Sequence, residues 1–368
     1  MRIALFDLSP YPIGGDVTWC KTVRYGLECL GHDVTYLRWS YVQNIAGARR
    51  YVGPIDIMGY DAVIFSEIAA DLRRSGVDLL QLIKQCGRHD VPAILGVHNN
   101  VKQHPENRRV GMIECINAAS HPWATNMMML DDPRIQVTTR FTERPYLPFK
   151  PRALGHWPAW NEATWQDRHG LLITGRICAP KGQHALAAIA SMLDVPVCFA
   201  GKAQFRSAHD LLQRVLDDGG KLDGPVPASW SDVWTARTKR GNVVRYTGAY
   251  TEPWHVPWDI ATAHVNLSSH RHSIGHLEYA TIEAIDAGLR AAAPAHAVYD
   301  THYQTVNRLT TRGWHTARDL REATTADLQV VADELTDTAV MKPITHDEAE
   351  RDLFRHDPVR YAEALLPA

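Results

Sequence analysis

Long apolar runs, paired cysteines, internal repeats and an excess of either charge are all missing from this chain. Without the roughly 20 consecutive apolar residues that a spanning helix needs, no membrane segment is expected. The opening MRIALFDLSP reads as a strand rather than a secretory leader, because its apolar stretch is short and ends in Asp7. Cys20, Cys29, Cys86, Cys115, Cys178 and Cys198 are scattered and form no C-x-x-C pair. Neither a zinc site nor a disulfide framework is indicated, and a reducing cytoplasm is the expected compartment. A formal net charge of −2 gives no global attraction to nucleic acid, so a polyanion would have to meet a local patch. The G-x-G-x-x-G dinucleotide fingerprint is absent too.

What remains is 368 residues, 45% hydrophobic and 22% charged, which suits two ordinary globular cores. Residues 1–6 read as a buried parallel strand, followed by the Gly14-Gly15 loop and a helix over 17–30. Strands over 33–37, 62–65, 93–97 and 135–139, with helices over 78–86 and 114–118, continue the alternation. This is a doubly wound α/β domain spanning 1–150. A connection rich in proline and tryptophan covers 151–170. A second α/β domain follows over 171–345, with strands at 171–174, 195–200, 243–246 and 265–267. Helices are expected over 182–192 and from about Leu277. Residues 346–368 end in a helix over 358–366, expected to pack back on the first domain. The predicted class is α/β, with two doubly wound Rossmann-like domains facing a central cleft.

Ligands of such sheets bind beyond the carboxyl ends of the strands. Five suspect loops occupy that position. Gly14 and Gly15 let a backbone approach a bound group closely, although a tight turn without function fits them equally. His98, followed by Asn99, stands after a strand, where it can exchange hydrogen bonds with a sugar or act as acid or base. In Gly175-Arg176-Ile177-Cys178-Ala179-Pro180-Lys181-Gly182, two cations flank one turn and suit a diphosphate, whose growing charge they would neutralise. Surface cations in an ordinary loop are the competing reading. Tyr246, Thr247 and Gly248 end a strand whose backbone could read a nucleobase edge. Glu278 and Glu283 are five apart, so inside one helix they would point about 140° away from each other. They converge only if Glu278 precedes the helix and Glu283 lies within it; a solvated helix start is the plainer alternative.

With these motifs in place, the chain resembles the retaining GT-B glycosyltransferases. Gly175, Arg176, Lys181 and Gly182 match their G-R-x-x-x-x-K-G diphosphate turn, and Glu283, Ala284 and Gly288 match the E-A-x-x-x-G of their ribose-binding helix. In a large branch another glutamate stands eight residues before Glu283, where this chain has Gly275. The Leu277-Glu278-Tyr279-Ala280-Thr281-Ile282-Glu283 segment is closer to the DNA α-glucosyltransferase family of T-even bacteriophages. So are Gly15-Asp16-Val17-Thr18, Gly31-His32-Asp33-Val34-Thr35, and His98 followed by Arg108-Arg109. The resemblance implies Arg176 and Lys181 on the diphosphate, Glu283 on the ribose, Glu278 on the hexose and His98 beside the transferred sugar. Asn99 stands where that family carries an aspartate, which leaves its chemical role open.

The expected reaction moves a hexose, glucose in the first instance, from UDP-glucose or another UDP-hexose to a hydroxymethylated pyrimidine (5-hydroxymethylcytosine) in double-stranded DNA, with retention. The nucleotide sugar is a co-substrate; no tightly bound cofactor, divalent metal or membrane is called for, and a monomer is expected. Host cytoplasm is the expected location if the source is a phage. The phosphates would meet Arg134, Arg140, Arg144, Lys150 and Arg152, extended by Lys102, Arg108 and Arg109, although such runs are often solvated faces. Two alternatives stand beside this. One is a retaining glycosyltransferase for a lipid, small-molecule or glycan acceptor, with Trp157, Trp160 and Trp165 as candidate contacts. The other is a non-catalytic nucleotide- or DNA-binding protein on the same scaffold.

Overall fold

The computed structural model describes residues 1–8, 15–38, 56–66, 79–98, 101, 104–124, 132–136, 142–143, 146–151, 168–178, 181–204, 206–229, 231–250, 255–268, 277–295, 303–310 and 324–366. The chain divides into two units, Met1–Lys150 with His356–Ala368, and Pro151–Arg355. The expected segment 346–368 is therefore shared between them.

In the first unit, β1 (Arg2–Asp7), β2 (Asp33–Arg38), β3 (Ala62–Phe65), β4 (Ala93–Val97), β5 (His121–Ala124) and β6 (Thr142–Glu143) form one sheet. Its order is β2-β1-β3-β4-β5-β6, and every pairing is parallel. Ile3, Ala4, Leu5 and Phe6 are buried in succession, as expected of a strand covered on both faces. Helices α1 (Gly15–Cys29), α2 (Leu79–Arg88) and α3 (Glu106–Ala118) connect the strands. Helix α9 (Pro358–Leu365) returns from the far end of the chain to pack on α1. Gly26 permits that contact, since a β-carbon there would lie 2.1 Å from the Pro358 carbonyl oxygen.

The second unit holds β7 (Leu171–Thr174), β8 (Val197–Ala200), β9 (Lys221–Leu222), β10 (Trp234–Arg237), β11 (Val243–Tyr246), β12 (Ala263–Val265), β13 (Arg290–Pro294) and β14 (Val306–Leu309). The order is β14-β13-β12-β7-β8-β11-β10-β9, parallel except for the antiparallel edge β11-β10-β9. Helices α4 (Gln183–Ile189), α5 (Ser207–Asp217), α6 (Tyr279–Asp286), α7 (Thr325–Val340) and α8 (His346–Leu353) complete it, with α8 packed on α6.

Three expectations shift. The helix expected over 114–118 begins at Glu106, because its charged first turns lack apolar periodicity but are joined by Glu106–Arg109 pairing. The strand expected over 135–139 is not formed at Ile135 and Gln136. There the Asp132 carboxylate accepts from the Arg134 backbone in a turn, and buried Ile135 ends it; residues 137–141 lie outside the described residues. The strand expected over 265–267 ends at Val265, with buried Leu267 packing as loop.

Candidate active site

From β7 the chain steps to β8 and β11 on one side, and later to β12 on the other. The crevice beyond the ends of β7 and β12 is therefore the topological switch point of this sheet, where such folds hold ligands. The turn leaving β7 carries Arg176, which is exposed, and Lys181, which is half-buried. Gln183, fully buried, holds that turn: its Nε2 donates to the Arg176 carbonyl at 3.0 Å and its Oε1 accepts from Cys178 N at 3.3 Å. Gly182 has φ +78°, and a β-carbon there would meet the Leu267 carbonyl oxygen at 2.3 Å. The β7 and β12 exits are thus packed backbone to backbone.

Glu278 is the residue before α6, with φ −70° and ψ 152°, while Glu283 lies inside the helix. That is the arrangement the five-residue spacing demanded. Lys181 Nζ and Glu278 Oε2 are 2.6 Å apart, both largely shielded from water, so the two exits are joined by charge as well. Asn266 fixes the remaining geometry by donating to Thr281 Oγ1 at 3.1 Å and accepting from Ser268 N at 2.8 Å. On the other side Tyr246 is buried, its hydroxyl donating to the Gly201 carbonyl at 2.9 Å, so its side chain holds the sheet. Thr247 N and Gly201 N donate to Phe199 O and Gly248 O, at 2.9 and 2.8 Å.

Beneath the turn lies a polar group that sequence reading missed. His264 in β12 is 1% exposed, and its Nε2 is 3.0 Å from Thr174 Oγ1. Its Nδ1 is buried without a partner, a condition costing about 1–3 kcal/mol. Burial pushes this imidazole down to about 3, against the pull of the nearby Glu278 carboxylate. Burial, then the charge of Glu283, holds the Tyr250 hydroxyl well above the ordinary tyrosine value, with Thr174 and the Gly175 backbone beside it pulling the other way.

In the first unit His98 follows β4, edge-on to Trp19 and Trp123 at ring separations of 5.6 and 4.9 Å. It bonds to the Ser66 backbone, while its Nε2 is shielded and unpartnered. Burial lowers its pKa, opposed by Asp16, so the neutral ring is favoured. Gly15 opens α1. Gly14, Asn99, Lys102, Arg140, Arg144, Arg152, Trp157, Trp160 and Trp165 lie outside the described residues.

Two members of the expected basic patch, Arg109 and Arg134, are committed to carboxylates. Arg134 donates to Asp132 at 2.9 Å and to Glu106 at 2.6 Å, and Arg109 pairs with Glu106. Arg134 holds the Asp132 carboxyl well below its usual range. Lys150 Nζ sits 3.8 Å over the Tyr25 ring, and Arg108 is exposed. Among the described residues one group has metal-ligand atoms within 4.8 Å of one another, His346, Asp347 and Glu350, all exposed on α8. No described helix is long and apolar enough to cross a membrane.

Compared with solved structures, the chain superposes over nearly its whole length on glycosyltransferases. An α-glucosyltransferase in complex with UDP and a 13-mer DNA containing a HMU base matches with a TM-score of 0.59 and 11% identity, covering 99% of this chain and 97% of that one. This chain has the GT-B fold. Two further GT-B structures match similarly. AviGT4, involved in avilamycin A biosynthesis, gives 0.54 and 13% over 99% of this chain and 95% of that one. A trehalose-6-phosphate protein from E. coli, bound with UDP-2-fluoro glucose, gives 0.53 and 10% over 99% and 98%. No family model and no curated protein matches the sequence.

Proposed function

We propose that this GT-B chain is a glycosyltransferase that moves a hexose from a uridine diphosphate donor. The observation carrying the proposal is the pairing of Lys181 with Glu278 across the β7/β12 switch point, with Arg176 exposed beside it. Arg176 and Lys181 would bind the diphosphate and neutralise the charge that grows on it as the glycosidic bond breaks. Glu283 would take the ribose and Glu278 the hexose. Neutral His98, with Nε2 unpartnered, would stand beside the transferred sugar. The diphosphate oxygen would accept the acceptor proton, giving retention without a separate strong base. The UDP-bound glycosyltransferase structures of the same fold support the donor assignment.

For the acceptor we take a hydroxymethylated pyrimidine in DNA, 5-hydroxymethylcytosine first, supported by the matching structure that holds HMU DNA. Such a base would leave the duplex to react. A small-molecule or glycan acceptor is the second reading, favoured by the carboxylates that neutralise Arg109 and Arg134.

The test incubates the protein with UDP-hexoses and with hydroxymethylated DNA, plain DNA or free sugars, and weighs the products by mass spectrometry. A hexose mass added only to hydroxymethylated nucleosides is expected. Transfer to free sugars alone would select the second reading, and absence of both UDP binding and transfer would reject the enzyme. Arg176→Ala should slow turnover by about tenfold or more, since a charged hydrogen bond contributes about 1.5–3 kcal/mol.

A further inference from the structure

His264 is the buried group that the donor-site reading leaves unused. Thr174 lies beside the Tyr250 hydroxyl, and its Oγ1 is 3.0 Å from His264 Nε2. A Thr174 hydroxyl that donates to Nε2 satisfies both atoms. The ring is then satisfied at one nitrogen only, because a neutral ring accepting at Nε2 carries its proton on Nδ1. That Nδ1 is shielded from water and has no partner. Buried donors of this kind call for an explanation.

The Glu278 carboxylate is the charged group that acts on this ring, and it is held 2.6 Å from Lys181 Nζ. A diphosphate on the β7 turn would compete for the same ammonium, and a carboxylate that loses its cation needs another donor.

We propose that His264 is a positioning residue whose Nδ1–H takes over the Glu278 carboxylate when Lys181 turns to a nucleoside diphosphate, aiming Glu278 at the donor hexose. This rests on the donor site proposed above.

Two measurements test it, the first without any nucleotide. Histidine-selective ¹⁵N NMR, with the His264 signal assigned by its loss in His264→Gln, should show the Nδ1–H tautomer. Lys181→Ala frees the carboxylate, so the Nδ1 proton should move downfield, and the double variant Lys181→Ala/Glu278→Gln should cancel that movement. An Nε2–H tautomer, or no Glu278-dependent shift, overturns the proposal even if the donor reading stands.

The second compares His264→Gln, whose amide falls at the Nε2 place, with His264→Asn, whose amide falls at the Nδ1 place. UDP affinity, which also reports an intact fold, should be preserved in both. In His264→Gln, kcat with UDP-glucose should fall about tenfold, the loss of one hydrogen bond to a charged group, and His264→Asn should recover much of it. Equal activity in the two variants overturns the positioning role. A wild-type protein that binds no UDP rejects the donor site, and with it this role in transfer, whatever the NMR result.

Discussion

Burial holds His264 neutral, and that has a price in acid. Its folded value of about 3 lies far below the ordinary 6.5, so between those pH values the unfolded chain binds a proton that the folded chain does not. Its contribution to stability is therefore intact above about pH 6.5 and declines as pH falls, by about 1.4 kcal/mol per pH unit. His264→Gln removes the titration, so its stability should fall less steeply with acid than the wild type's. Urea unfolding of both proteins at pH 7, 6 and 5 measures the difference. Parallel slopes would mean that the ring charges as easily in the folded chain as in the unfolded one.

The turn between β7 and α4 shows what an element requires of single residues. Gly182→Ala forces a β-carbon to 2.3 Å from the Leu267 carbonyl oxygen and strains φ +78°, so the β7 and β12 exits must separate. A loss of about 2 kcal/mol or more and weaker UDP binding are expected. Gly87→Ala on the exposed face of α2, where nothing lies within 4 Å, should instead stabilise by about 0.5–1 kcal/mol. Thermal unfolding with calorimetric UDP titration checks both; equal effects would contradict the packing account. Much of this level was legible in the chain. Ala62–Phe65 and Ala93–Val97 are strands where expected, because parallel strands buried on both faces read as unbroken apolar runs. The chain's end was expected to be helical, but the starts of α7 and α8 were not placed, although Thr324-x-x-Asp327 and Thr345-x-x-Glu348 are capping boxes written in the sequence. In the site, the cations and carboxylates stood out by type and spacing. His264 did not, because its partner Thr174 is 90 residues away and only folding joins them.

At the scale of the whole molecule, the first unit is closed by the segment that follows the second. Asp357 caps α9 through Val359 N and Arg360 N, and Pro358 fits the first helical position. Trp19 Nε1 donates to the Tyr361 hydroxyl at 3.1 Å, and His356 Nδ1 donates to the Leu147 carbonyl at 2.7 Å. Tyr361→Ala should cost about 3 kcal/mol, as removal of a large buried aromatic does. Hydrogen-exchange mass spectrometry should find α1 and β5 exchanging faster while α5, in the other unit, keeps its protection. Uniform loss across the chain, or no loss in α1, would contradict this division. The same connectivity dictates an order of events at the ribosome. Residues 151–355 emerge as one uninterrupted stretch and have all their partners once made. Residues 1–150, translated earlier, must wait for His356–Ala368 with the α1 face around Trp19 and Gly26 uncovered. During that interval the nascent chain presents an apolar groove, the kind of surface that chaperones bind and that aggregation exploits.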